Sequence, residues 1–290
     1  MKNSFNTHIS LAAAAVATLL SAHDSQGQIS ITGGGLTYNQ NFDTLTTNTT
    51  PQNWTDNTAT IALDSPQVVG LPGWYIGTFA TGAAATTNGN QVIRAGTGSL
   101  NTGSYYSFGS AGALERALGT LPSDGITSAG AGALRLGARF VNNTGQNIGG
   151  FTFSYDGEQW RNAGITNINN QFAVSYAVFA PGLATLANST YTALAAANFN
   201  TIFDGTGTAT GVALDGNLAA NRIAGLGDTV TGLSIAPGDE IWIRWSDANS
   251  QSADISIGID NFSITFEVPE PSSLALLALG VAAIIHRRRN

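Results

Sequence analysis

Leu134-Arg-Leu-Gly-Ala-Arg-Phe140 and Phe151-Thr-Phe-Ser-Tyr155 decide the fold class. In the first, Leu134, Leu136, Ala138 and Phe140 share one parity and Arg135 and Arg139 the other; in the second, Phe151, Phe153 and Tyr155 alternate with Thr and Ser. Successive side chains of a strand point to opposite faces, so this period of two marks strands with one face in a core. The pattern recurs at Phe172, Val174, Tyr176 and Val178, at Ile241, Ile243 and Trp245, and at Ile255, Ile257 and Ile259. Between these runs stand turn-forming clusters. Asn142-Asn-Thr-Gly145 and Asp156-Gly157 read as turns, and Ala236-Pro-Gly-Asp239 as a type II turn, with Pro then Gly in the middle. One short helical turn or loop is expected in Thr190–Ala197, and a loop over 81–89.

Many short strands and little helix imply an all-β chain, two antiparallel sheets packed as a β-sandwich of jelly-roll, lectin-like type. The body that forms it spans residues 28–267, enough for one sizeable core.

The two ends differ from this body. Residues 1–27 read as a secretory signal peptide: Lys2, then an apolar run over 11–20, then small polar residues. At the other end, Val268-Pro269-Glu270-Pro271 precedes fourteen uncharged residues, 272–285, and then Arg287, Arg288 and Arg289. As a helix the uncharged run covers about 21 Å. That is short against a bilayer core of roughly 30 Å, but arginines reach outward from a short transmembrane helix to the headgroups. The same three arginines hold their end cytoplasmic and leave the body outside. Pro269 and Pro271 keep the intervening strip extended and present Glu270 to a membrane enzyme.

This C-terminal segment, 268–290, closely resembles the PEP-CTERM sorting signal of bacterial exported proteins. The resemblance implies Sec-type export, a membrane-anchored intermediate, and processing at Pro-Glu-Pro by an exosortase-type enzyme. It also implies a host that makes extracellular polysaccharide, so the cell surface or that matrix is the expected destination. A second resemblance covers roughly 134–266, carried by Phe153-Ser-Tyr-Asp-Gly-Glu-Gln-Trp-Arg161, Leu214-Asp-Gly-Asn-Leu-Ala-Ala-Asn-Arg222, Pro237-Gly-Asp-Glu-Ile-Trp-Ile-Arg-Trp245 and Ile259-Asp-Asn-Phe-Ser-Ile264. It looks like the β-sandwich module of many such exported proteins, and its final strand is similar to the closing strand of lectin-like and MAM-type jelly rolls.

Composition narrows the chemistry. The chain has no cysteine, its histidines are His8, His23 and His286, and lysine occurs only at position 2. The body therefore lacks histidine, cysteine and lysine, which removes the usual nucleophile–base pairs, Schiff-base chemistry and ordinary zinc sites. Seven arginines face sixteen carboxylates in it, so nucleic acid is not an expected partner. Paired carboxylates remain for glycoside hydrolysis, Asp156 with Glu158 or Asp239 with Glu240, but acids beside turns ordinarily satisfy local backbone donors. The body is expected not to be an enzyme.

Two binding arrangements are open. Glu240, Trp242 and Arg244 share the strand face opposite Ile241, Ile243 and Trp245, and Glu158 and Trp160 share a parity beside Arg161. An exposed indole next to a guanidinium and a carboxylate would stack a sugar; a tryptophan capping the core is the alternative. Asp43 near the first strand, with Asp260 and Asn261 near the last, are candidate calcium ligands, since calcium prefers such oxygens and the ends of a jelly roll often adjoin. No other cofactor is expected. The leading expectation is an exported structural or adhesive protein, with a carbohydrate-binding module second.

Overall fold

The alternating segments form the strands expected of them, in two stacked sheets. The computed structural model describes residues 28–53, 71–79, 92–127, 132–165, 170–182, 186, 190–205, 207, 211–250 and 254–269. The expected signal peptide, the loop 81–89, the helix 272–285 and the residues Glu270, Pro271, Arg287, Arg288 and Arg289 lie outside these. Among the described residues no helix is long and apolar enough to cross a membrane.

Strands β1 (Ile29–Ile31), β2 (Thr37–Gln40), β3 (Gln52–Asn53), β4 (Trp74–Phe79) and β5 (Val92–Gly96) lead into β6 (Ser104–Phe108), β7 (Ala117–Leu121) and β8 (Ala133–Asn142). Then follow β9 (Ile148–Arg161), β10 (Gln171–Phe179), β11 (Thr192–Ala193), β12 (Phe199–Asn200), β13 (Arg222–Ile235), β14 (Glu240–Ala248) and β15 (Ser256–Glu267). The first sheet runs β1-β8-β14-β10-β11, with β4 also on β8 and β12 on β10. The second runs β13-β9-β15-β7-β6-β5-β3, with β2 also on β15. From β8 onward the long strands cross alternately between sheets, as in a jelly roll. Pairing is antiparallel except for β1 with β8 and β5 with β6, which run parallel.

Between the sheets lies one core. Leu134, Leu136, Ala138, Phe140, Ile241, Ile243 and Trp245 enter it from the first sheet, and Phe151, Phe153, Tyr155, Ile257, Ile259, Phe262 and Ile264 from the second. Trp74 stacks on Trp245 with centroids 5.7 Å apart, and both meet the Phe262 ring edge-on. Each such side chain contributes roughly 1.5–3 kcal/mol through removal from water. Core parity on β15 changes from odd (Ile257, Ile259) to even (Phe262, Ile264, Phe266) across a β-bulge between Asp260 and Ser263. Asn261 absorbs it in the left-handed region, at φ 49°.

Ala236–Asp239 forms the expected turn, with Gly238 at φ 89° and the Asp239 N–H donating to the Ala236 carbonyl at 3.0 Å. Asp156-Gly157, in contrast, does not turn: β9 runs through it without a break. Gly157 serves a different purpose, since a Cβ there would collide with the Phe199 ring, which lies over the strand. Within 190–197 only Ala195–Ala197 is helical, as one 3-10 turn.

Candidate functional site

Outer sheet faces should face solvent, yet both are partly roofed. On the first sheet, Tyr75, Phe79, Leu186 and Trp242 form a second apolar cluster, flanked by Phe179 and Tyr191. Leu186 fits over Gly137, where any Cβ would strike it. Its carbonyl accepts from Arg135 Nη1 at 2.7 Å and Arg244 Nη1 at 3.0 Å. Arg244 also lies 3.6 Å over the Tyr191 ring, and burial together with the charge of Arg135 brings its pKa down to about 10. On the second sheet, Trp160 stacks on Phe108, and Phe108 on Tyr106. Above this stack the chain returns at Leu214, whose N–H donates to the Trp160 carbonyl at 2.8 Å, and Gly216 lies against the indole.

The exposed sugar platform, one of the two readings open for these tryptophans, is therefore not formed. Trp160 is 1% and Trp242 0% exposed. Alternation correctly turned both indoles away from the main core, but segments of irregular backbone cover them. Their N–H groups are engaged as well, Trp160 with Glu158 Oε2 at 2.9 Å and Trp242 with Glu240 Oε2 at 3.1 Å. Arg161 reaches the carbonyls of Gly98 and Ser99. Glu240 pairs with Arg139 rather than Arg244, through Nη2–Oε1 at 2.6 Å and Nε–Oε2 at 3.0 Å. Of the paired carboxylates, Asp239 accepts from Ala236 N within its turn, and Asp156 accepts from Gly225 N and Asn261 Nδ2.

A different constellation forms where β9 and β15 adjoin. Glu158 and Asp260 both point away from the main core, and their strands pair so that Gly258 faces Glu158 and Asp260 faces Asp156. Glu115, just before β7, completes a triad in which one oxygen from each residue lies within 4.8 Å of the others. Glu158 is 0% and Asp260 4% exposed. Burial, with a contribution from neighbouring carboxylates, pushes the Glu158 carboxyl up to about 8 and that of Asp260 to about 7, and raises Glu115. Asp43 stands close enough to repel Glu115 and Asp260. Its oxygens accept from Arg116 N and Asn41 Nδ2.

Of the calcium ligands expected from the sequence, Asp260 enters the triad and Asp43 lies beside it. Asn261 does not join them, because the bulge turns its amide to Asp156. Glu115 is not among the expected site residues, and Glu158 is expected beside Asp156 or Trp160 rather than as a calcium ligand. No local signal marks them, since their approach depends on the pairing of β9 with β15 and of β15 with β7.

Beyond Asp260 the closing strand runs to Glu267 and straight into Val268 and Pro269, whose ring approaches Gly149. Residues 267–290 match the PEP-CTERM protein-sorting motif. The chain carries a PEP-CTERM sorting signal. That motif implies an exported protein with a membrane-anchored intermediate, handled by an exosortase-type membrane enzyme.

Among curated proteins none matches the sequence. Solved structures similar to it include TmCBM61 in complex with β-1,4-galactotriose, at 10% identity and TM-score 0.25, covering 53% of this chain and 72% of that one. The K3 cleaved adhesin domain of Lys-gingipain from Porphyromonas gingivalis matches at 16% identity and TM-score 0.32, covering 67% and 91%. The enzymatically active domain of bacteriophage CBA120 tailspike protein 4 matches at 11% and 0.28, covering 74% and 21%.

Proposed function

We propose that this chain is a non-catalytic structural or adhesive protein of the cell surface or extracellular polysaccharide matrix, delivered there through its PEP-CTERM signal. The sorting motif at residues 267–290 carries the reading. Composition supports it: a body without histidine, cysteine or lysine lacks the common catalytic groups. So does the β-sandwich, which uses the indoles of Trp74, Trp160, Trp242 and Trp245 and most of its described guanidinium groups in its own packing. In this scheme Pro269-Glu270-Pro271 is the strip read by the exosortase-type enzyme, and Arg287, Arg288 and Arg289 hold the tail against the cytoplasmic face until processing.

The test is a localisation series in a host that has an exosortase. The native chain is expected at the surface or in the medium, shortened at its C-terminus. A Pro269→Ala, Glu270→Gln double variant is expected to stay in the inner membrane at full length. Equal distribution and processing of both would overturn the proposal.

A further inference from the structure

Three oxygens in the β9–β15 constellation have no donor. Glu115 Oε1, Glu158 Oε1 and Asp260 Oδ1 are each buried and reached by no hydrogen bond. Their companion oxygens are served: Glu158 Oε2 by the Trp160 indole, Glu115 Oε2 by the Asn217 amide, and the Asp260 carboxyl by the Asn261 N–H. A buried charge without a partner is strongly disfavoured, so the geometry calls for a cation or for bound protons.

We propose that Glu115, Glu158 and Asp260 form a divalent-cation site, with calcium as its occupant. The spacing fits. Two oxygens held at 2.3–2.6 Å from one ion stand at most about 4.6–5.2 Å apart, and each of the three carboxylates here offers an oxygen within 4.8 Å of those of the other two. The donor set is all hard oxygen, which selects calcium or magnesium over zinc or copper. Magnesium keeps several waters and demands near-ideal octahedral geometry, whereas calcium accepts irregular carboxylate cages. Glu158 and Asp260 are buried, which favours calcium. Asp43 adds negative charge from the loop after β2. Arg116 beside Glu115 and Arg222, which acts on Glu158, are the nearby cations, and they offset part of it. The ion would tie the approach to β7, the middle of β9 and the closing strand β15 together, three segments far apart in sequence.

The test uses the full-length protein in mild detergent. Thermal melts in chelator and in calcium are compared, and terbium luminescence is excited through tryptophan, since the Trp160 indole is hydrogen-bonded to a proposed ligand. Calcium at a hundredfold excess over its Kd is expected to raise Tm by about 5–10 °C. Terbium emission should appear and be displaced by calcium. Asp260→Asn and Glu158→Gln imitate the protonated carboxyls, so each is expected to fold in chelator with a Tm no lower than the native protein. Both should lose the calcium shift and the emission. A native Tm indifferent to chelator and to millimolar calcium, with no terbium emission, would overturn the site and leave the carboxyls holding protons. A calcium shift that survives both variants would equally overturn it, by placing the ion elsewhere.

Discussion

Removing Arg139 should unfold this protein more readily than removing any exposed charge, and its partner shows by how much. Glu240 receives four donors: Arg139 Nη2 and Gly182 N at Oε1, and Arg139 Nε and Trp242 Nε1 at Oε2. The side chains of Arg139 and Glu240 are 12% and 2% exposed. Arg139→Met leaves a buried carboxylate with two neutral donors, a change that typically costs 3–5 kcal/mol. At roughly 2–4 °C per kcal/mol for a body of this size, Tm should fall by about 6–20 °C. Arg139→Met with Glu240→Gln removes the orphaned charge while keeping an acceptor for Gly182 or Trp242. It should recover most of the loss and remain about 1–2 kcal/mol below the native protein. Urea unfolding followed by tryptophan fluorescence gives all values of the double-mutant cycle. Because the pair is buried, the coupling should change little with salt. A single variant within about 1 kcal/mol of the native protein, or a double variant no better than the single, would refute the reasoning.

Other expectations are independent of this pair. Gly157→Ala should cost about 1–3 kcal/mol, because the new methyl meets the Phe199 ring; a chemical melt checks it, and Phe199→Leu in the same chain should restore part. Asp247 is fully buried and accepts from Thr120 Oγ1 at 2.6 Å, and burial raises its pKa well above that of a free aspartate. An acid that holds its proton in the folded state stabilises most below its unfolded pKa and loses that contribution as pH rises through the folded one. Stability should therefore decline as pH rises above the unfolded value of about 3.9, and Asp247→Asn should reduce the slope by up to about 1.4 kcal/mol per pH unit. Trp242→Ala should destabilise by about 3–5 kcal/mol, and titrating the native protein with matrix polysaccharide should leave the fluorescence of its buried indoles unshifted.

Most of the sandwich was legible because burial and strand period coincide. Leu134 to Phe140 and Ile241 to Trp245 announce one buried face, and the structure buries that face. The same logic placed Trp160 and Trp242 on the other side but could not show whether water or chain covers them. Their covers come from Leu186 and from Leu214–Gly216, stretches without any period. Asp156-Gly157 misled because its composition suits a turn, whereas the glycine is needed for the approach of Phe199, forty-two positions away. The acidic triad was legible only at Asp260. A sequence shows parity along one strand and not the offset between two, and the offset is what brings Glu158 to Asp260 and Glu115 to both.

The place of β15 sets an order of events. It is the last of the described strands to be made, yet it lies inside its sheet, against β9 on one side and β7 and β2 on the other. A polypeptide that leaves the cytoplasm head first must keep that slot open until residues 256–267 have come through. The sorting motif at residues 267–290 follows at once, so closure of the sandwich and handling of the tail fall at nearly the same moment. Fragments truncated before Ser256 would present two bare edges to proteases outside the cytoplasm, and quality control would favour chains that arrive whole.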